Sequence, residues 1–436
     1  MRGLFSTTIF CLLSFQSYTQ SIDLKAIILQ LDSMVDGPVQ GHFKNNVLAF
    51  SGEVVSGKMS GQWLFWNGQG VLKSNSLYEN GKKEGVEYLY DEEGRTLSES
   101  NFSFGLLEGL YIEYYELLRP ALIGYYAMGK KDSIWTEYFP YGGVSYTQNF
   151  KSNLQHGPQT HYYPNQEISR LEYYTYGIKS DQWTYYHTNG AISKVLKYEK
   201  GLLDGDYQEY YPDGTKSAKG TYELGLKTGI WLNFYGNNQL YSIGAYFRNE
   251  KSGIWKYFTE KGAINYEGFF EHDLKTGQWI YYYINGNLES IGSYLNDNKD
   301  GLWGFFYPND QLKQEQTWRQ GKLLEVSDYY SIKGELLFKG NLKNGNGNYF
   351  EYYPEGEIKL KANLQNGRFS ERYKGYHINN TLAFEGKMER GLRQGLWSFY
   401  HYNGRISTTG SYLNSEKIGL WKEYSKYGRL LNSLKY

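Results

Sequence analysis

The sequence predicts an all-β fold: an elongated single-layer antiparallel sheet of about sixteen tandem 24-residue β-hairpin repeats. Three observations predict it. The stretch LKTGIW at 226–231 returns as LKTGQW at 274–279, with EKSGIW at 250–255 midway, so a spacing of 24 is seen twice. In steps of 24 from Gly229, anchors run from 61 to 325 and, after a loss of two residues, continue at 347, 371, 395 and 419. The residue five after each anchor is aromatic in all sixteen frames, from Trp66 to Tyr424. The composition, 47 Tyr and 51 Gly beside 8 Pro, is that of strands and turns, because aromatic side chains suit a pleated surface and Gly supplies turn conformations. A fixed period of this length signals a tandem array and not a set of globular domains.

The elements follow in chain order. Residues 1–19 read as a secretory signal peptide: Arg2, the apolar run LFSTTIFCLLSF, then SYTQ with small Ser17 and Thr19 at minus three and minus one if cleavage precedes Gln20. The run falls short of the roughly 20 apolar residues of a spanning helix. Cys11 is the sole cysteine and lies inside it. The mature chain would therefore hold no disulfide, no thiolate nucleophile and no Cys-ligated metal. The expected location is outside the cytoplasm (periplasmic, outer-surface or secreted), with no transmembrane segment. In residues 20–36, Leu24, Ile27, Ile28 and Leu31 follow helical spacing, and Ser21 or Asp23 can cap. This segment is expected to be a short helix covering the open edge of the first hairpin, or else an extended strand completing the first unit.

The repeat array occupies 37–436, beginning with a half-repeat. In each frame the first strand carries Trp at position two in nine cases, among them Trp63, Trp135 and Trp397, and the aromatic residue at five. A turn follows at nine, with Gly94, Gly190, Gly214 or Gly286 there and Asn or Asp often just before. That is hairpin chemistry, which needs positive φ. The second strand opens with Ile or Leu at eleven, often has Gly at fifteen, and closes with an aromatic residue at seventeen in thirteen frames. A strand glycine is weakening unless an aromatic ring lies across its bare backbone, which is the arrangement expected here. Position twenty is Gly, Asn or Asp in nearly every frame, as a left-handed turn residue should be. Positions eleven and seventeen share a face by parity. Positions two and five do not, so either that strand carries a bulge or the two rings face opposite sides. One hairpin of this size is unstable alone, whereas stacked hairpins bury their rings against each other.

The frames GIWKYFTEKGAI, GQWIYYYINGNL, GDYQEYYPDGTK and GLWSFYHYNGRI carry a pattern, G-x-W-x-x-Y-Y-x-x-x-G-x-L/I then Y-x-x-G-x-x-x-G, that resembles the bacterial variant of the MORN (membrane occupation and recognition nexus) repeat. The resemblance covers 37–436 and implies one antiparallel hairpin per repeat. Proteins with this variant are often described as antitoxin components of toxin–antitoxin systems. YLYDEEGRTL at 88–97 is similar to a YD repeat, but in one frame only.

Little in the array points to chemistry. His42, His156, His161, His187, His272, His377 and His401 fall in no metal-ligating spacing, and the glycines follow the repeat, not a phosphate-binding pattern. The expectation is no enzyme, no cofactor and no metal. Lys plus Arg and Asp plus Glu both number 46, which argues against nucleic acid as a partner and leaves local patches open. The columns at five and seventeen are expected to be core. Trp231, Trp255, Trp279 and Trp303, in four consecutive frames, are the candidate binding surface, as a groove for a peptide or glycan. The expected function is a non-catalytic exported scaffold binding another protein or a cell-envelope component. The alternatives are an antitoxin- or immunity-type protein neutralising a partner toxin and, more distantly, a glycan-binding aromatic repeat protein.

Overall fold

The computed structural model describes residues 36–436. The signal-peptide assignment at 1–19 and, apart from Asp36, the cap segment at 20–36 lie outside the described residues. The chain divides into two units, ending and beginning at Leu202 and Leu203.

In the first unit, strands from Gly37–His42 to Ile192–Glu199 pair in succession, each antiparallel to the one before. In the second unit an antiparallel ladder runs from Gly205–Tyr210 to Lys322–Val326. A two-stranded piece follows, Tyr329–Tyr330 with Leu336–Leu337, and then an eight-stranded antiparallel sheet from Gly347–Tyr352 to Leu430–Lys435. The fold is thus tandem hairpins in open antiparallel sheets, as the period predicts.

The turns explain the glycine columns. Residues at nineteen and twenty both have positive φ, as in Asn296 (50°) and Asp297 (64°), which is the type I′ geometry matched to strand twist. Position twenty was expected to be left-handed. Position nineteen was not, and it holds Phe104 (51°), Tyr176 (50°) and Leu224 (48°). The anchor itself is left-handed: Gly253 has φ 73°, and Asp181 and Glu371 adopt 58°. There the strand bulges. Ala245 opposes Ser252 and Ile243 opposes Lys256, so Gly253, Ile254 and Trp255 together face Gly244. Two extra residues preserve the side-chain alternation, which keeps Lys251 and Trp255 on one face.

Both halves of the parity question therefore hold. The strand is bulged, and the rings at two and five point to opposite sides. This corrects the expected core. Position five is half-buried in most frames, Phe258 and Tyr282 included. The core is centred on the tryptophan at two, with rings at four and seventeen packed around it, as in the cluster of Trp255, Tyr257, Phe270, Trp279 and Trp303. Except at Trp183, where Glu172 stands in its place, each indole at two lies over the glycine at fifteen of the preceding strand. A Cβ built on Gly268 would stand 2.1 Å from Trp279 Cδ2, and the same holds within 0.1 Å for Gly244 under Trp255 and Gly292 under Trp303.

Candidate functional site

Each repeat is bound to the next by three recurring contacts. The indole nitrogen at two donates to the carbonyl of residue sixteen in the preceding frame, as Trp255 to Ala245 (3.1 Å) and Trp303 to Ser293 (2.9 Å). A tyrosine at six donates its hydroxyl to the carbonyl at five of the next frame, as Tyr235 to Phe258 and Tyr211 to Phe234 (both 2.8 Å). His377 and His401 take that tyrosine's place, reaching Tyr400 O and Tyr424 O at 3.0 and 2.9 Å. An asparagine at eight reaches the neighbouring turn, as Asn237 to Glu260 O (2.8 Å). These roles account for two of the histidines that the sequence left unassigned.

The four tryptophans singled out from sequence are brought together, but not as a groove. Trp231, Trp255, Trp279 and Trp303 are 2%, 1%, 0% and 1% exposed. They are core, because the glycine beneath admits the ring and other side chains cover it. The cover is a residue that sequence reasoning missed, the lysine two places before the anchor. Lys227, Lys251, Lys275 and Lys299 place their ammonium groups 4.2, 4.7, 4.2 and 4.2 Å from the indole centroids. The ring quadrupole attracts each cation. The signal was present in the sequence, since Lys227 and Lys275 belong to the recurring LKTG.

This lysine column has a distinct electrostatic character. Burial pulls Lys227 and Lys275 below the ordinary lysine pKa and brings Lys299 down to about 8. Lys251 and Lys275 touch the hydroxyls of Tyr257 and Tyr281 at 2.9 and 3.1 Å. None of the four has a carboxylate within ion-pair distance among the described residues. Between Lys227 and Trp318, the alternating positions of this face hold Trp, Tyr, Phe, Ser, Gly, Asn, Gln and Lys, and no Asp or Glu. Carboxylates lie at its margins: Glu209 acts on Lys227 from the preceding frame, Asp297 acts on Lys275 from the turn, and Glu289 sits at a bulge beside the far turn. The opposite face differs: Ile230, Ile254 and Leu302 are exposed there, and Lys256 pairs with Glu267 at 2.8 Å.

The column ends where the repeat fails. Gln316 stands where neighbouring frames have Gly292 or Gly268, and Ser327 where they have tryptophan. With the indole missing, a cavity of about 280 Å³ opens, lined by Lys299, Phe305, Lys313, Gln314, Trp318, Tyr349 and others. Its polar groups form a chain. Trp318 Nε1 donates to Gln316 Oε1 (3.1 Å), Gln316 Nε2 reaches Gln314 Oε1 (3.1 Å) and Tyr349 Oη (3.2 Å), and the Tyr349 hydroxyl donates to Glu351 (3.0 Å). The described residues contain no cluster of three or more His, Cys, Asp or Glu side chains able to hold a metal. No helix among them is long and apolar enough to cross a membrane.

The MORN repeat variant model matches residues 203–223, 275–296 and 299–320, so repeats of that kind are present at three places, all in the second unit. No curated protein matches the chain. Among solved structures, the Photorhabdus luminescens Tc holotoxin pore with the TccC3-D651A mutation is similar at 13% identity over 88% of this chain and 20% of that one, with TM-score 0.15. The TcdB2-TccC3-Cdc42 structure gives 10%, 91%, 23% and 0.13, and TcdB2-TccC3 gives 11%, 95%, 26% and 0.15. The chain spans about a quarter or less of the length of these structures.

Proposed function

We propose that the chain is a non-catalytic binding scaffold acting outside the cytoplasm, and that it presents its lysine-bearing sheet face to an acidic cell-envelope component or acidic protein surface. MORN-type repeats suggest a repeat-based binding scaffold. The observation that supports the finer reading is the column Lys227, Lys251, Lys275 and Lys299. Four cations recur at every second strand, about 9.5 Å apart from the usual strand spacing, on a stretch of face whose alternating positions from Lys227 to Trp318 carry no acid. Partly desolvated cations gain from a partner that brings the missing counter-charge, and they repel a basic one. A net charge of zero over the chain makes this a property of one face.

The test is co-sedimentation of the purified chain with native-host envelopes. Retention that falls with salt, and that is lost when the four lysines are replaced by Met, is the expected result. Retention of the four-Met variant equal to wild type overturns the reading. Export is tested separately: protein from the native host should begin near Gln20, and an intact Met1 contradicts it.

A further inference from the structure

The geometry points to a ligand site at the break in the repeat: the cavity walled by Lys299, Lys313, Gln314, Gln316, Trp318 and Tyr349 takes a small, ring-bearing carboxylate. This goes beyond the scaffold reading, because it concerns one cavity and one small molecule, and neither proposal requires the other.

The frame is built unlike its neighbours. Elsewhere this face is filled by an indole on a glycine. Here the indole is absent and two glutamines enter instead, Gln314 at 1% exposure and Gln316 at 9%. A buried amide is costly unless its hydrogen bonds are met. Gln314 meets one of its own by a long contact, Nε2 to Ser327 O at 3.3 Å. A cavity kept polar by two buried amides, where an indole would close it, is arranged for something that hydrogen-bonds.

Charge and shape narrow the class. Lys299 and Lys313 both line the cavity, and Glu351 is the one carboxylate in its wall. Glu351 accepts from Tyr349 and makes no ion pair with either lysine. Glu351 nevertheless acts on Lys313 as the largest of its charged neighbours, favouring its charged form, and Lys359 and Glu289 act with opposite signs. The wall therefore carries an excess of one positive charge, and burial depresses both lysines. An anion restores what desolvation took from them. The rest of the wall is apolar and mostly aromatic: Phe305, Trp318, Tyr329 and Phe369, with Leu323. Two ammonium groups would take either a carboxylate or a phosphate as point charges, and it is the ring faces around them that favour a carboxylate carried on a ring over a bare inorganic anion. At about 280 Å³ the space is at the lower limit of small-molecule pockets, which fits a single six-membered ring. Hydroxyls on that ring would meet Gln314 and Gln316.

The experiment is calorimetric titration of the full chain with glucuronate, with glucose as the neutral counterpart and inorganic phosphate as the ringless anion. Glucuronate should bind at least about tenfold more tightly than either. Lys313→Met should weaken it by about tenfold or more, while Lys261→Met, an exposed turn lysine, should not. Because binding an anion raises the Lys299 pKa, titrations at pH 8 in buffers of different ionisation heat should show uptake of up to about half a proton. Lys299→Met should abolish that uptake, giving a second readout if the Lys313 variant fails to fold. No binding of glucuronate at millimolar concentration overturns the inference. So does equal binding of glucose, tighter binding of phosphate, or indifference to both lysine substitutions.

Discussion

Replacing Gly268 by Ala tests the packing rule that builds this sheet. The added Cβ would meet Trp279 Cδ2, Cε2 and Cγ at 2.1, 2.3 and 2.4 Å. Ordinary contact begins near 3.4 Å, so the indole must move by more than about 1 Å, and at 0% exposure it has no free space. Overpacking of this kind costs about 1–3 kcal/mol. The displaced ring also leaves the Phe269 carbonyl, now 3.1 Å from Nε1, at about 1 kcal/mol. It loses the Lys275 ammonium, 4.2 Å from its centroid, at about 0.5–1 kcal/mol. The expected total is about 2.5–5 kcal/mol. A control separates crowding from backbone strain: a Cβ on Gly286, at φ 88°, meets nothing within 4 Å, so Gly286→Ala should cost only about 1–2 kcal/mol. The chain itself shows the compensated pair, since Ala362 stands opposite Tyr373 where Gly268 stands opposite Trp279. Trp279→Tyr should therefore rescue part of the loss, with a coupling of about 1 kcal/mol or more in the double-mutant cycle. Hydrogen exchange across 264–306 measures each variant locally, which suits an array whose units unfold separately. Strict additivity, or a Gly268→Ala cost no larger than that of Gly286→Ala, would refute the reasoning.

Three further outcomes follow from the same geometry. Trp255→Ala should cost about 3–5 kcal/mol, and Phe258→Ala clearly less, because Phe258 is half-buried on the other face; equal losses of exchange protection would contradict the assignment of faces. Tyr235→Phe deletes the hydroxyl that donates to Phe258 O at 2.8 Å and should cost about 1 kcal/mol, read as faster exchange in the two frames it joins and nowhere else. Lys299 has a folded pKa near 8 against 10.5 for the free side chain, so between these values the unfolded chain binds more protons and stability should rise with pH. Below pH 8 both states are protonated and the burial penalty is constant. Urea unfolding of the frames around Lys299 should show a rise from pH 8 to 10 that is lost in Lys299→Met. An unchanged slope in that variant would mean that Lys299 is not desolvated.

Much of the architecture was legible because one physical solution is repeated. A period of 24 fixes strand, turn, strand, turn, and left-handed turn positions reveal themselves through Gly, Asn and Asp substituting for each other, as Asp297 and Gly321 do. Position nineteen escaped because Phe104, Tyr176 and Leu224 are poor left-handed residues; the two-residue hairpin dictates their backbone, and no local preference announces it. The role of position five was misread because a fully kept aromatic column looks like core. On a single-layer sheet both faces carry rings, and they bury best on the face where a small residue, glycine under most of the tryptophans, lies beneath. The pairing of Gly268 with Trp279 and of Ala362 with Tyr373 carried that information as a matching of sizes between columns.

The site was less legible, for a related reason. A lysine next to a turn reads as a solvated charge, and nothing in LKTG says that its ammonium comes back over Trp279. That return depends on the bulge, whose two extra residues keep Lys275 and Trp279 on one face. The loss of two residues in the frame at 325 was visible too, but a deletion in a repeat predicts only a change of spacing. What makes it a cavity is chemical. Gln316 in place of glycine and Ser327 in place of tryptophan remove the ring and its seat together, so nothing collapses into the gap. Polar side chains hold it open through the chain from Trp318 to Glu351. Apolar side chains do pack beside the break, Leu323, Val326 and Leu342 joining Leu360, Ala362 and Leu364 of the next frame, yet they leave the polar cavity open. Two buried amides and two desolvated lysines at one break are costly to keep, and that cost is the physical argument that the break is used.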